Sequence, residues 1–350
     1  MIFSFRKPKS KLGVDIGTSS IKVVQLKKEE KGYLLETYGI VDVSLRKSMD
    51  SGFDAIAETA RILRLLLEKS RVTTKKVVAS LPNNIVFVSM IEIPEMSEKE
   101  LKAAIEFEAR RYVPLPLEEV TLSWSVLREP SFAKATEGKP ATSQKLKILL
   151  TAVPTSVIEN YLKMFKIAGL EPQALEIESL ALIRSLAGSR SESFMIVDIG
   201  ARNTSLSLVD KGFLRLSRNL TVGGETITAA IARGLKVSVQ RAEQFKKDLG
   251  LGGELLKQIP DALRPPIDTI KSEITQLINI YESGGGSIRE IIFAGLGAKL
   301  PGLVEYFSDL GPRVALGDPL KFVSHDPQVK PYLTPVALSL SVAMGLAMRE

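Results

Sequence analysis

The pattern Leu12-Gly-Val-Asp-Ile-Gly-Thr-Ser-Ser-Ile-Lys returns about 180 residues later as Met195-Ile-Val-Asp-Ile-Gly-Ala-Arg-Asn-Thr-Ser-Leu. Each copy is an apolar run that ends in Asp-Ile-Gly, passes through short polar residues and resumes as a second apolar run. That is a strand, a tight turn and a returning strand, so each copy reads as a β-hairpin rather than a strand-to-helix phosphate loop. A chain that repeats such a hairpin in each half is constrained to a duplicated α/β architecture. A glycine at the hairpin tip lets backbone N–H groups and hydroxyls close on phosphate oxygens, because no Cβ blocks the approach. Asp15 and Asp198 stand at the strand ends. Magnesium keeps most of its waters and takes only one or two carboxylates besides phosphate, so one Asp from each hairpin suits a Mg²⁺ clamp. One Asp-x-Gly turn punctuates ordinary hairpins; the argument rests on two of them in the same order.

Composition narrows the chemistry. The chain has 350 residues, 45% hydrophobic and 25% charged, which is room for two domains with their own cores. With no cysteine and one histidine, His325, it has no disulfides, thiol nucleophile, Cys-rich zinc site or His-based metal centre. Phosphate and Mg²⁺ chemistry is what remains. No uninterrupted apolar run approaches the roughly 20 residues of a membrane span. The opening Met1-Ile-Phe-Ser-Phe-Arg-Lys-Pro-Lys lacks the apolar stretch of a secretory leader, so the expected location is the cytoplasm. The net charge of +7 comes from Lys and Arg interspersed with Glu along the helices, a pattern that argues against nucleic-acid binding.

Between the hairpins the periodicity predicts strands at 32–43, 77–81 and 85–94 and an amphipathic helix over 53–69. A second helix opens with the capping box Ser97 and Glu100 and stops at Val113-Pro-Leu-Pro. Strands at 121–127 and 146–153 are joined by a polar stretch over 129–145 that reads as an exposed loop without catalytic duty. Helices follow over 154–169 and from Glu178. After the second hairpin, Val222-Gly-Gly-Glu-Thr precedes a helix over 227–233 whose first amides are expected to point at phosphate. Further helices are predicted from Ser238 to near Gly250, over 267–283 and over 335–348, with a strand from Ile291 entering the turn Gly295-Leu-Gly-Ala.

Hairpin, helix, second hairpin, Gly-Gly turn, acidic-basic helix and a strand ending in Ala-Gly-Leu-Gly is the order found in the actin-like ATPase superfamily. Within it the chain resembles the type IV pilus assembly family PilM, relatives of the division protein FtsA. The likeness spans nearly the whole chain. It is strongest in the first hairpin, in Phe107-Glu-Ala-Arg-Arg-Tyr-Val-Pro, and in Val222-Gly-Gly-Glu-Thr-Ile-Thr with Ala242-Glu-Gln-Phe-Lys-Lys downstream.

The resemblance implies an α/β actin-like ATPase fold of two duplicated domains. Residues 1–84 would begin domain I, 85–175 would form the inserted small subdomain used for protein contact, and 176–350 would supply domain II and a last helix returning to domain I. It implies ATP and Mg²⁺ as cofactors. Gly17, Thr18, Ser19 and Lys22 match the first phosphate motif, with Lys22 reaching the β-phosphate. Gly200, Asn203 and Thr204 match the second, and Gly223 and Gly224 form the adjoining turn. Asp15 and Asp198 fall on the metal side, and Glu243, Lys246 and Lys247 fall on the adenine and ribose side. Gly295, Leu296, Gly297 and Ala298 match the adenosine turn, and Glu178 matches the residue that orients attacking water. Read singly, the lysines could solvate a helix, Glu178 could be an exposed helical acid and the Gly pair a plain strand-to-helix turn; their order in one chain joins them.

The implied role is an ATP-binding scaffold with at most slow hydrolysis. Its implied partners are the N-terminal cytoplasmic tail of PilN and other platform proteins at the inner membrane, and self-association is left open. Two alternatives stand beside it. An FtsA-like division protein would carry a linker and amphipathic helix beyond Met348-Arg-Glu, and a small-molecule kinase of the superfamily would need a carboxylate base aimed at a substrate hydroxyl.

Overall fold

The computed structural model describes residues 10–43, 53–127, 145–251 and 258–350. In chain order the elements are β1 (Ser10–Ile16), β2 (Ser20–Lys28), β3 (Tyr33–Asp42), α1 (Phe53–Lys69), β4 (Lys76–Leu81), β5 (Phe87–Pro94), α2 (Glu98–Tyr112), β6 (Val120–Leu127), β7 (Lys145–Pro154), α3 (Thr155–Ala168), β8 (Glu171–Ile177) and α4 (Glu178–Leu182). The second half contributes β9 (Phe194–Ile199), β10 (Thr204–Asp210), β11 (Phe213–Leu220), α5 (Gly224–Leu235), α6 (Val239–Asp248), α7 (Gln258–Ser283), β12 (Glu290–Ala294), α8 (Leu303–Tyr306), β13 (Arg313–Leu316), β14 (Val323–Ser324), α9 (Lys330–Leu333) and α10 (Ser341–Ala347).

The duplication read from the two hairpins is visible in the sheets. The first runs β14-β3-β2-β1-β4-β8 and the second β11-β10-β9-β12-β13. In each, a hairpin and a third strand pair antiparallel, and the hairpin's first strand then pairs parallel with a strand that follows a helix. This is the actin-like ATPase fold. Leu12, Val14, Val197 and Ile199 are fully buried because their strands sit in mid-sheet, with helices packed on them.

A third sheet, β5-β7-β6, carries α2 on one face around Ile91, Ile105, Ile148 and Leu150. Ser97 caps α2 reciprocally with Glu100, as the capping box requires. Of the stretch 85–175, only the part up to Pro154 belongs to this separate sheet. Chain from Thr155 returns, α3 packing with α1 and β8 pairing with β4 in the first sheet. The polar loop expected over 129–145 lies outside the described residues except for Lys145.

Three helix boundaries differ from the sequence pattern. The helix α5 starts at Gly224, three residues before the first periodic Ile. The helix α7 starts at Gln258 and runs through Pro265 and Pro266, ahead of the start expected at Ile267. Two prolines remove two backbone donors, but Leu263, Ile267, Ile270, Ile274 and Leu277 lie fully buried along one face, and that packing carries the helix through. The closing helix is a 3₁₀ turn over Ala337–Leu340 followed by α10.

Every residue of α10 is buried. It lies between β1 and α4 at backbone contact, since a Cβ at Gly13 would overlap the Ala343 carbonyl and one at Gly345 would overlap the Ala181 carbonyl. No single described helix is long and apolar enough to cross a membrane.

Candidate functional site

The first hairpin closes by the Gly17 N–H donating to the Ser20 carbonyl at 3.0 Å, while the amides of Thr18 and Ser19 find no backbone acceptor among the described residues. Asp15, only 4% exposed, pairs across the strands with Lys22. The Lys22 ammonium lies 2.9 Å from Asp15 Oδ2, and the Ser80 hydroxyl, at the end of β4, donates to Oδ1 at 2.9 Å. Burial works against charge on Lys22, but Asp15, then Asp198 and Glu178, outweigh it and raise its pKa, so it is held as an ammonium.

The second hairpin repeats the backbone and changes the charge. Gly200 N–H donates to the Asn203 carbonyl at 2.9 Å, and the Ala201 and Arg202 amides again find no backbone acceptor among the described residues. Opposite Asp198 stands Ser205 in place of a lysine, and its hydroxyl donates to Asn219 Oδ1 at 2.8 Å. The Asp198 carboxylate therefore receives no hydrogen bond from the described residues. Burial, then the nearby Asp15, push it up to about 6 against the pull of Lys22. Glu178, the first residue of α4, is half-buried and accepts the Asn83 N–H at 3.1 Å. Burial, then Asp15 and Asp198, lift it to about 8 despite that hydrogen bond and Lys22. Three carboxylates thus share one ammonium.

Some expected roles change. The Thr204 hydroxyl donates to the Val222 carbonyl at 2.7 Å, tying the hairpin to the Gly-Gly turn rather than offering itself to phosphate. The first amides of α5 are also engaged, contrary to the phosphate role expected of them. Gly223 donates to Thr226 Oγ1, Gly224 to the Gly200 carbonyl at 2.9 Å and Glu225 to the Ala201 carbonyl at 2.8 Å. Lys246 bonds the Gly224 carbonyl at 3.1 Å, Thr228 at 2.8 Å and Glu243 at 2.6 Å, which makes Glu243 and Lys246 a brace between α6 and α5. Burial opposes charge on Glu243, but Lys246 and Thr228 prevail and lower its pKa. Lys247 reaches Glu243 at 3.4 Å from the exposed side. At the turn after β12, Gly295 has φ +79°, and a Cβ there would sit 2.5 Å from Asp198 Oδ1 and from the Ile199 carbonyl; Gly297 presses on Ile199 too. The space those glycines leave is filled by the end of β9. Leu296 is half-exposed and Ala298 buried.

The structure therefore gathers Asp15, Lys22, Asp198 and Glu178 into one cluster touched by Gly295. It places Gly200, Gly224, Glu243 and Lys246 beside it. Sequence reasoning missed Ser80 and Asn83. A serine in the apolar strand Val77-Val-Ala-Ser-Leu and an asparagine directly after its terminating proline were the available signals. Among the described residues no group of three or more His, Cys, Asp or Glu could cage a metal alone. An open carboxylate beside unused hairpin amides instead fits a cation that brings its own phosphate ligands.

The charge imbalance has a pH signature. Folded Asp198 keeps its proton to about pH 6, against 3.8 as its ordinary value. The folded state thus binds more protons between those values, and stability falls as pH rises through that window and stays lower above it. Asp198→Asn is expected to flatten this step and to gain on the order of 1–2 kcal/mol above pH 6. Urea unfolding at pH 4.5 and 7.5 checks it; a loss of stability at pH 7.5 would mean that Asp198 is already compensated.

A sequence profile of the family described as Type IV pilus assembly protein PilM matches residues 13–350. Among solved structures, the PilM-PilN type IV pilus biogenesis complex superposes with a TM-score of 0.83 over 98% of both chains at 27% identity. MreB5 of Spiroplasma citri bound to AMPPNP shares the fold at a TM-score of 0.52 and 12% identity, over 96% of this chain and 94% of that one. The cell division protein FtsA of Streptococcus pneumoniae serotype 2 (strain D39 / NCTC 7466) is 24% identical over 352 aligned positions, covering 87% of this chain and 74% of FtsA. A profile match over nearly the full length, joined to duplicated hairpin sheets and the extra three-stranded unit, places this chain in the PilM family of type IV pilus assembly proteins.

Proposed function

We propose that the chain is an ATP-binding scaffold of the type IV pilus assembly platform, taking Mg-ATP at the two hairpin tips and capturing the N-terminal cytoplasmic tail of PilN. The observation that carries the nucleotide reading is the Asp198 carboxylate beside the Asp15–Lys22 pair, with amide pairs on both tips that have no backbone acceptor among the described residues. The amides of Thr18, Ser19, Ala201 and Arg202 and the Lys22 ammonium bind phosphate oxygens, and Asp15 and Asp198 hold the metal side. Mg²⁺, when bound, neutralises the phosphate chain and relieves the repulsion between the two aspartates. Burial, Asp15 and Asp198 push Glu178 up to about 8, so it is mostly protonated at neutral pH before a metal cation faces the two aspartates. Calorimetric titration with Mg-ATP, and with ATP in EDTA, tests this. Micromolar binding that requires the metal is expected, and no binding in either condition overturns the reading.

The PilN reading is supported by the likeness, over 98% of each chain, to PilM in its complex with PilN. Capture of such a tail would hold the chain at the cytoplasmic face of the inner membrane, with contacts to other platform proteins and to further copies of itself as parts of the same assembly. The inserted unit presents Phe107 at 68% exposure, with Tyr112, Leu115 and the basic Arg110 and Arg111 alongside. An exposed aromatic flanked by arginines suits a short peptide with apolar anchors. Titration with a peptide copying a PilN cytoplasmic tail is expected to give an affinity that Mg-ATP alters and that Phe107→Ala weakens about tenfold. Unchanged affinity in the variant moves the groove off α2. No peptide binding with or without nucleotide turns the reading toward an FtsA-like division protein.

A further inference from the structure

Where β4 ends, Asn83 joins both halves of the molecule to Glu178. It is 4% exposed and begins a short 3₁₀ turn just after Pro82. Its N–H donates to Glu178 Oε2 at 3.1 Å. Its carbonyl accepts from Asn219 Nδ2 at 3.0 Å, from β11 of the second half. Its side-chain Oδ1 accepts both the Ser179 N–H at 3.3 Å and the Ser179 hydroxyl at 3.1 Å. Ser179 in turn accepts from the Ser207 hydroxyl of β10 at 2.8 Å, and Asn219 accepts from Ser205, the cross-strand neighbour of Asp198. Ser80, three residues before Asn83, holds Asp15.

Asn83 Nδ2 is the one buried side-chain nitrogen or oxygen with no hydrogen-bond partner among the described residues. Exchanging the amide oxygen and nitrogen does not cure this, because it would turn the NH₂ group onto the Ser179 N–H and lose that bond. An unmet buried donor is destabilising, and such a group in a native fold calls for a reason. Aspartate would accept the same two bonds without a stranded donor. It would also add a fourth carboxylate to a cluster served by Lys22 alone. Asparagine is the side chain that supplies the acceptor while remaining neutral beside Glu178.

We propose that Asn83 is a positioning residue that fixes the Glu178 carboxylate relative to Asp15 and Asp198 and transmits to it the docking of the second half through Asn219. Its mechanistic use rests on the nucleotide-site reading, but the coupling itself is testable without nucleotide. The charged and titratable groups facing Glu178 are Asp15, Asp198, Lys22 and Tyr161, from β1, β9, β2 and α3. The test follows the Glu178 carboxyl carbon by NMR titration of the full chain labelled with ¹³C-glutamate, assigned by its loss in Glu178→Gln. Asn83→Asp, Asn83→Ala and Asn219→Ala are compared with the wild type, with thermal melting recorded alongside.

All three variants are expected to move the Glu178 midpoint upward, Asn83→Asp by at least about one pH unit and Asn219→Ala by about half. Asn219→Ala is the decisive variant, since Asn219 does not touch Glu178. An unmoved Glu178 midpoint in folded Asn83→Asp and Asn219→Ala overturns the proposal and leaves Asn83 a structural clip. Shifted midpoints in the variants, together with a wild type that does not bind Mg-ATP, would keep the coupling and discard the nucleotide reading.

Discussion

Asp15→Ala is expected to remove Mg²⁺-dependent nucleotide binding and, at the same time, to cost about 3–5 kcal/mol of folding stability. The second effect comes from the partner left behind. Lys22 is nearly enclosed, and Asp15 is its ion-pair partner at 2.9 Å. Without Asp15 the ammonium stays buried with only the longer-range attraction of Asp198 and Glu178, and the Ser80 hydroxyl loses its acceptor. The double variant Asp15→Ala with Lys22→Met separates the two roles. It removes both charges and fills part of the space, so most of the stability should return while nucleotide binding does not. Denaturant unfolding and calorimetry read the two quantities independently. If Asp15→Ala unfolds within 1 kcal/mol of the wild type, the ion pair is not what keeps Lys22 inside; if it binds Mg-ATP unchanged, the site lies elsewhere.

Gly345→Ala is expected to be at least as damaging, with no charge involved. The added Cβ would overlap the Ala181 carbonyl, and backbone facing backbone has no flexible side chain to yield. Overpacking in a closed core typically costs 1–3 kcal/mol, and a contact between two main chains should exceed about 3 kcal/mol. Because α4 carries Glu178 and Ser179, any displacement of α10 that relieves the clash also shifts the carboxylate. The expected result is a lower melting temperature together with a changed Glu178 titration. Melting unchanged within a degree or two would show that α10 slides on α4, and the close approach at Gly13 would then need another reason.

How far the sequence foretold these features depended on whether a signal was local. The hairpins, the capping box at Ser97 and Glu100 and the strand pair on either side of 129–145 were legible because each is written in adjacent residues. The route of α7 through Pro265 and Pro266 was not, since the local pattern begins the helix only at Ile267 and burial of five aliphatic side chains against the second sheet extends it back through the prolines. The site was legible in part. Asp15, Lys22, Asp198 and Glu178 do come together, but the first amides of α5 and the hydroxyl of Thr204 are engaged by Gly200, Ala201, Thr226 and Val222. Such pairings are set by where the Gly-Gly turn docks, which no short pattern encodes. Asn83 was missed for the same reason, because its partners come from α4 and β11, about 95 and 135 residues away.

The exchange of Lys22 for Ser205 opposite the two aspartates makes the paired hairpins unequal in charge. The two tips close by equivalent backbone bonds, Gly17 to Ser20 and Gly200 to Asn203, so those turns alone do not tell one end from the other. The charges do: one hairpin holds an ammonium paired with Asp15, the other a carboxylate that receives no hydrogen bond among the described residues. On the proposed reading, a metal–anion pair would meet two unlike ends, and its orientation would be set by charge rather than by the shape of the turns.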